Sequence, residues 1–353
     1  SVTAKAGVLI DLPRINYDAN GENGALLLEP SRVNNFNYSE YSAAIEYNNV
    51  NSITNNAAIS PEGVQNALEI NADGNDIVDS YRSAGSGVVG TFSVFAKAGT
   101  GDSIRMSHSS TGSSAYTDFN LTSGTRISTG GAQYINSDIK DYGNGWYRIS
   151  ITFTSGTGGY INRLTLQDTG VYQIYGFQLE AGSYVSSYIP NHSGTGGVTR
   201  AADSCSVTGA SDAIGQTEGT LFYDFNIEDI ALQTQDPVLI YLKNSSGITS
   251  YFEMYDNGDL VVVHINSGSI TLTKNGLTDG RHKAAFAYKD NDFAFYVDGV
   301  LAGTNTSFSV ASSQTEIGLQ YTSAFYTGKQ SANQVALFKE RLTNSELATL
   351  TTL

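Results

Sequence analysis

Short runs in which apolar and polar residues alternate recur along this chain, and a period of two marks strands rather than helices. Gly145–Phe153, reading GWYRISITF, shows the pattern well. Tyr147, Ile149, Ile151 and Phe153 fall on one face, and Trp146, Arg148, Ser150 and Thr152 on the other. Similar runs lie at Val50–Thr54, Ala67–Ile70, Gly90–Lys97, Ser103–Ser107, Tyr116–Leu121, Ile161–Gln167 and Tyr172–Leu179, between Gly, Ser and Asn turns. Such spacing predicts an antiparallel sandwich or barrel, because βαβ units would need helical patterns in between. Two hairpins are predicted further on, at Asn257-Gly258 and Asp298-Gly299, dipeptides that favour the positive φ angles of tight turns. Only the end reads as helical. Thr343-Asn344-Ser345-Glu346 before Leu347 supplies capping chemistry for one short C-terminal helix.

The same pattern occurs twice at a larger scale. Gly145–Phe153 and Gly280–Tyr288 each set a turn glycine before a strand whose fourth residue is basic and whose ninth is aromatic. Upstream, Gly90-Thr-Phe is echoed by Gly219-Thr-Leu. The fold class expected is therefore all-β, two antiparallel sandwiches in tandem with that single helix. The division expected is an N-terminal attachment or packing segment over 1–40, a first sandwich over 41–205 and a second over 206–353. NHSGTGGV at Asn191–Val198 reads as the linker.

Composition supports this reading and removes several functions. The chain has 353 residues, with 22 Tyr, 15 Phe and 37 Gly, and only 15% of residues are charged. A formal net charge of −15 with no clustered Lys or Arg argues against nucleic acid and against anionic membranes. Cys205 is alone and the four histidines are scattered, which excludes an internal disulfide and Cys/His metal clusters. No apolar window is long enough to span a membrane, and the first residues are too polar for a signal peptide.

Two stretches, PRINYDANGENGALLLEPSRVNNFNYSE and YGFQLEAGSYVSSYIPNHSGTGGVTRAAD, resemble signatures found together in tail, fibre and head-fibre proteins of tailed bacteriophages. The block between them, with FSVFAKAG and GNGWYRISITF, is similar to jelly-roll carbohydrate-binding modules. GRHKAAFAYKDNDFAFYVDGVLAG through VALFKERLTNSELATL is similar to concanavalin-A-like, laminin-G-type lectin domains. The resemblance implies a non-enzymatic virion-surface protein that adheres to a bacterial surface polysaccharide. It implies contacts with other virion proteins and a homo-oligomer, a trimer by family analogy. A structural virion protein and a capsular polysaccharide depolymerase are the alternatives.

Candidate chemistry is sparse. A glycosidase needs two carboxylates across the scissile bond. The acidic pairs Asp256/Asp259 and Asp290/Asp292 lie at turns, where Asp is used for backbone hydrogen bonding. Arg105 and His108 fall on opposite faces of an extended strand, a poor fit to lyase chemistry. No cofactor is required. Asp73, Asn75, Asp76 and Asp79 in NADGNDIVD offer oxygen donors suited to calcium, although they also read as an ordinary acidic turn. Sugar binding asks for aromatic faces beside planar hydrogen-bonding groups. The candidates are Trp146 with Arg148, on the face opposite the core, and Tyr321, Phe325 and Tyr326 in LQYTSAFYTGKQ. For Trp146 packing is favoured over sugar stacking, because large aromatics are mostly buried. For the tyrosine cluster, edge cover or subunit packing is the commoner use.

Overall fold

The computed structural model describes residues 14–17, 24–40, 46–48, 50–232, 236–321 and 328–353. The chain is all-β, with one α-helix among the described residues, and it divides into two compact units. No described helix is long and apolar enough to cross a membrane.

The first unit takes in Arg32–Arg200. One six-stranded antiparallel sheet runs in the order Tyr134–Asp141, Trp146–Thr154, Val89–Ala98, Thr169–Ala181, Gln65–Asp73, Ser52–Ile59. The other runs Thr125–Gly130, Ser113–Asn120, Ser103–Ser110, Ile161–Leu166, Asp76–Ser80, Glu46–Asn48. Their inward residues, among them Phe92, Val94, Ile149, Ile151, Met106 and Leu164, form the core between the sheets. Alternation identified the side of Trp146–Thr154 that enters this core, because a pleated strand presents every second residue to the same layer.

The second unit joins Ala201–Leu353 to Asp11–Ser31. A seven-stranded sheet, Arg14–Asn16, Ala25–Leu28, Gln330–Phe338, Glu218–Ile227, Gly280–Lys289, Phe293–Val297, Val300–Asn305, meets a six-stranded one. That second sheet runs Cys205–Thr208, Glu316–Leu319, Val238–Asn244, Gly247–Met254, Leu260–Ile265, Ser269–Lys274. Leu221, Phe225 and Phe286 of the larger sheet pack with Leu242, Phe252 and Val262 of the smaller one. The expected hairpins form at both dipeptides. Asp298 and Gly299 have φ of 50° and 77°, the paired positive values of a type I′ turn. The helix Asn344–Leu350 starts at a capping box of Thr343 and Glu346, and its Leu347 packs on Phe222 and Ala285 of the larger sheet.

The internal similarity has a structural basis. Gly90 stands opposite Phe153, and Gly219 stands opposite Tyr288, in the same antiparallel register. A Cβ at Gly90 would come within 3.3 Å of the Phe153 ring, and one at Gly219 within 2.5 Å of the Tyr288 hydroxyl. At Gly219 the ninth-residue aromatic itself excludes a side chain, whereas at Gly90 the closest atom is Ala84 Cβ at 2.8 Å and the Phe153 ring adds a second tight contact.

Two expectations need correction. The segment 1–40 is not one piece. Ala25–Leu28 adds as a strand to Gln330–Phe338 in the second unit, whereas Arg32–Asn34 pairs with Val198–Arg200 in the first. The stretch Asn191–Val198 is not a loose connection either. Asn191 is buried, Ser193 N donates to its side chain at 3.0 Å, and its amide donates to Gly196 O at 3.1 Å. Gly, Ser and Asn build this tight structure as readily as they build a linker.

Candidate functional site

The sheet face carrying Trp146 and Arg148 is closed. Trp146 is 2% exposed and packs among Ala58, Ala67, Phe95 and Tyr175, with Tyr188 against them. Its indole N–H donates to the carbonyl of Ile59 at 3.1 Å. Arg148 donates to Ser186 O at 2.7 Å and to Ser93 Oγ at 3.2 Å, with its guanidinium over the Phe95 ring. Tyr188, from the chain that follows the sheet, donates to the buried carboxyl of Glu40 at 3.2 Å. The expectation of Trp146 and Arg148 as sugar contacts is overturned, because a ring buried on both faces cannot receive a pyranose. At the related position Arg281 is 59% exposed on its side chain and pairs with Asp224, so an aromatic there serves only the first unit.

The other candidate residues separate. His108 stacks on Phe153 at 3.7 Å inside the first core, and burial lowers its pKa. Arg105 points away and holds Asp118 through two bonds of 2.7 and 2.8 Å, so no lyase pair exists there. Asp79 is likewise committed, to Arg163 at 2.6 and 2.7 Å, which removes it from the expected calcium set. Phe325 and Tyr326 lie outside the described residues. Tyr321 is half-buried in the second unit, and its position leads to the site.

In that unit Phe252 and Met254 enter the core, which turns Tyr251 and Tyr255 to the opposite face, as the alternation predicts. The register then aligns residues the sequence keeps far apart. Ser206 stands opposite Gly318, Gly318 opposite Tyr241, Tyr241 opposite Tyr251, Tyr251 opposite Val263 and Val263 opposite Thr271. These six residues form a row across the whole sheet, on the face away from the core.

Gly318 is what lets Tyr241 lie down on this row. A Cβ there would sit 2.3 Å from Tyr241 Cζ, so the phenol ring covers the glycine. Tyr241 is consequently only 7% exposed, while Tyr251 is half-buried. Tyr321 meets the Tyr241 ring edge-on, centroids 5.4 Å apart at 81°. The Tyr241 hydroxyl donates to Glu316 Oε1 at 3.1 Å, and Lys243 Nζ binds Glu316 Oε2 at 3.3 Å. Burial, then the neighbouring Glu316 carboxylate, pushes the Tyr241 pKa up to about 12, so the hydroxyl remains a donor at any physiological pH.

The next row carries Glu253, buried opposite Val261. Burial raises its pKa, and the charge of Asp236 raises it further. Asp236 is raised too, by burial and then by Asp256. The face thus combines phenol rings, hydroxyls and a carboxyl margin, with Lys243 already paired to Glu316. Tyr241, Gly318 and Glu253 were missed in the sequence. VLIYLK does place Tyr241 opposite Ile240 and Leu242, but nothing in it says which strand lies beside it.

No protein-family profile and no curated protein sequence matches this chain. Among solved structures, the NanB sialidase of Streptococcus pneumoniae is similar at 16% identity and a TM-score of 0.35, over 42% of this chain and 26% of the sialidase. The binding domain of botulinum neurotoxin DC, in complex with SialylT, is similar at 12% identity and a TM-score of 0.36, over 42% of this chain and 38% of that one. The CBM40 of the Ruminococcus gnavus IT-sialidase, bound to α2,3 sialyllactose, is similar at 14% identity and a TM-score of 0.33, covering 39% and 84%. The chain therefore spans about a quarter of the length of the sialidase. Likeness at this level carries nothing about ligand or activity.

Proposed function

We propose that this protein is a non-enzymatic adhesion module that binds a bacterial surface glycan through the tyrosine row of its second unit. The observation that carries the reading is the alignment of Tyr241, Tyr251 and Tyr321 on one sheet face, with hydroxyl and carboxyl groups at its margins. The half-buried phenols of Tyr251 and Tyr321 offer apolar area to a sugar ring and donors or acceptors to its hydroxyls, at little cost in side-chain entropy, while the buried Tyr241 ring packs between strands behind them. The glycan class is neutral. Glu253, Asp236 and Asp256 border the row without a basic partner among the described residues, and a uronate or sialyl group would meet like charge there. The setting proposed is the virion surface of a tailed phage, in line with the motif resemblance at Pro13–Glu40 and Gly176–Asp203. Single contacts of this size are weak, so the protein acts as a homo-oligomer, a trimer by family analogy, or in many copies.

Binding of the purified chain to an array of bacterial polysaccharides tests this. Neutral glycans are expected to bind, and Tyr251→Ala to weaken binding about tenfold, which is one lost stacking contact. No binding to any glycan would favour a purely structural virion role. Release of reducing ends, abolished by Glu253→Gln, would instead favour the depolymerase, since a buried carboxyl with a raised pKa is what a general acid needs.

A further inference from the structure

In the first unit, Ile104, Met106, Leu164 and Leu166 enter the core. Arg105 and Ser107 on Ser103–Ser110, and Arg163 and Thr165 on Ile161–Leu166, therefore face outward from the same sheet. The register sets Arg105 opposite Thr165 and Ser107 opposite Arg163, so the four form a square in which guanidinium and hydroxyl alternate. Each arginine is locked from outside the square. Arg105 donates through Nε and Nη2 to Asp118 at 2.7 and 2.8 Å, and Arg163 through the same atoms to Asp79 at 2.6 and 2.7 Å. Both carboxylates are buried and stand on the flanking strands. The Arg105 guanidinium also rests over the Tyr116 ring, 4.4 Å from its centroid. Nη1 of each arginine carries no hydrogen bond among the described residues, and neither do the half-buried hydroxyls of Ser107 and Thr165.

Such a square is a hydrogen-bonding surface ordered in advance. Ion pairs on a sheet surface add little to stability. Their effect here is to fix two long side chains whose ordering would otherwise oppose binding. Charge indicates the occupant. Asp118 and Asp79 balance the two guanidinium groups, and the chain carries a formal charge of −15, so an anion gains nothing at this face. Adjacent strands lie about 4.8 Å apart, which brings the four groups within the span of one or two sugar rings. We propose that Arg105, Ser107, Arg163 and Thr165 form a second glycan-binding site, taking a neutral oligosaccharide. Its oxygens accept from the two Nη1 groups and exchange hydrogen bonds with the two hydroxyls. Tyr116, opposite Ser107 on the next strand, supplies an aromatic edge. The site rests on the glycan reading of the second unit but shares none of its residues. It gives each chain a second point of attachment to a repeating polymer.

The test is binding of the full chain to an array of neutral and uronate-containing bacterial polysaccharides, with thermal unfolding of every variant. Ser107→Ala/Thr165→Val removes both hydroxyls and leaves the ion pairs, so its unfolding temperature is expected to stay within about 2 °C of wild type. Added to Tyr251→Ala, in which the tyrosine row is weakened, it is expected to lower the remaining affinity for a neutral glycan about 25-fold, two hydrogen bonds lost. Arg105→Lys keeps a charge beside Asp118 but removes the planar fork, and is expected to weaken binding about tenfold. If that variant does not fold, the hydroxyl variant decides. Binding lost with the hydroxyls and unchanged in Tyr251→Ala supports this site and overturns the row. Binding lost in Tyr251→Ala and unchanged by Ser107→Ala/Thr165→Val overturns this site and leaves the row. A hydroxyl variant that loses binding only as its unfolding temperature drops assigns the square to structure and overturns the proposal. A chain that binds no glycan, or only uronate-containing ones, overturns both sites.

Discussion

Replacing Trp146 by Ala removes the largest side chain of the layer that closes the outer face of the first unit. Trp146 is 2% exposed, touches Ala58, Ala67, Phe95 and Tyr175, and donates to Ile59 O at 3.1 Å. Buried Trp→Ala changes cost about 3–5 kcal/mol through lost transfer energy and the cavity left behind. The lost indole donor leaves the Ile59 carbonyl without that bond, worth about 1 kcal/mol. Trp146→Phe keeps most of the ring and loses the N–H, so it is expected to fall near the lower figure. Urea unfolding followed by circular dichroism and tyrosine emission measures both, because the Ala variant has no tryptophan. In the unmodified protein the single indole is expected to emit at short wavelength and to shift red as the first unit opens. A Trp146→Ala protein within about 1 kcal/mol of wild type that had lost glycan binding would refute the packing account.

Further outcomes follow from other positions. His264 is fully buried, bonded to Ser250 Oγ at 2.8 Å and accepting the Ala311 N–H at Nε2, and burial lowers its pKa to about 4. Its folded-state pKa lies below the unfolded value of about 6.5, so the stability it contributes is present above that pH and declines toward pH 4. The loss is about 3 kcal/mol when complete. Unfolding free energy measured from pH 7 to pH 4 should fall less steeply in His264→Gln. Gly318→Ala drives a methyl into the Tyr241 ring, 2.3 Å from Cζ. It is expected to cost about 1–3 kcal/mol and to reduce glycan affinity, read by denaturation and calorimetry. Gly219→Ala meets the Tyr288 hydroxyl and the Phe338 carbonyl, and should destabilise by a similar amount while leaving the row of tyrosines in place.

Much of the fold is legible in the sequence because its determinants are local. Period-two alternation named the core-facing side of Trp146–Thr154, since pleating fixes side-chain direction without reference to neighbours. Asp298-Gly299 made its turn because the two residues tolerate the required φ, and Thr343 with Glu346 capped the helix through bonds three residues apart. The glycine–aromatic pairs Gly90/Phe153 and Gly219/Tyr288 left a visible double pattern. Alternation could not say what covers the other side. Trp146 points away from the core as its strand requires, and is buried because Ile59, Tyr175 and Tyr188 arrive from elsewhere in the chain. Only the tertiary structure set Tyr241 beside Tyr251 and over Gly318, since register is a relation between strands that no single strand encodes. The sequence by itself determined strands, turns and inward faces. Which outward faces close and which present chemistry was decided by long-range pairing, where one residue of slip would have exchanged them.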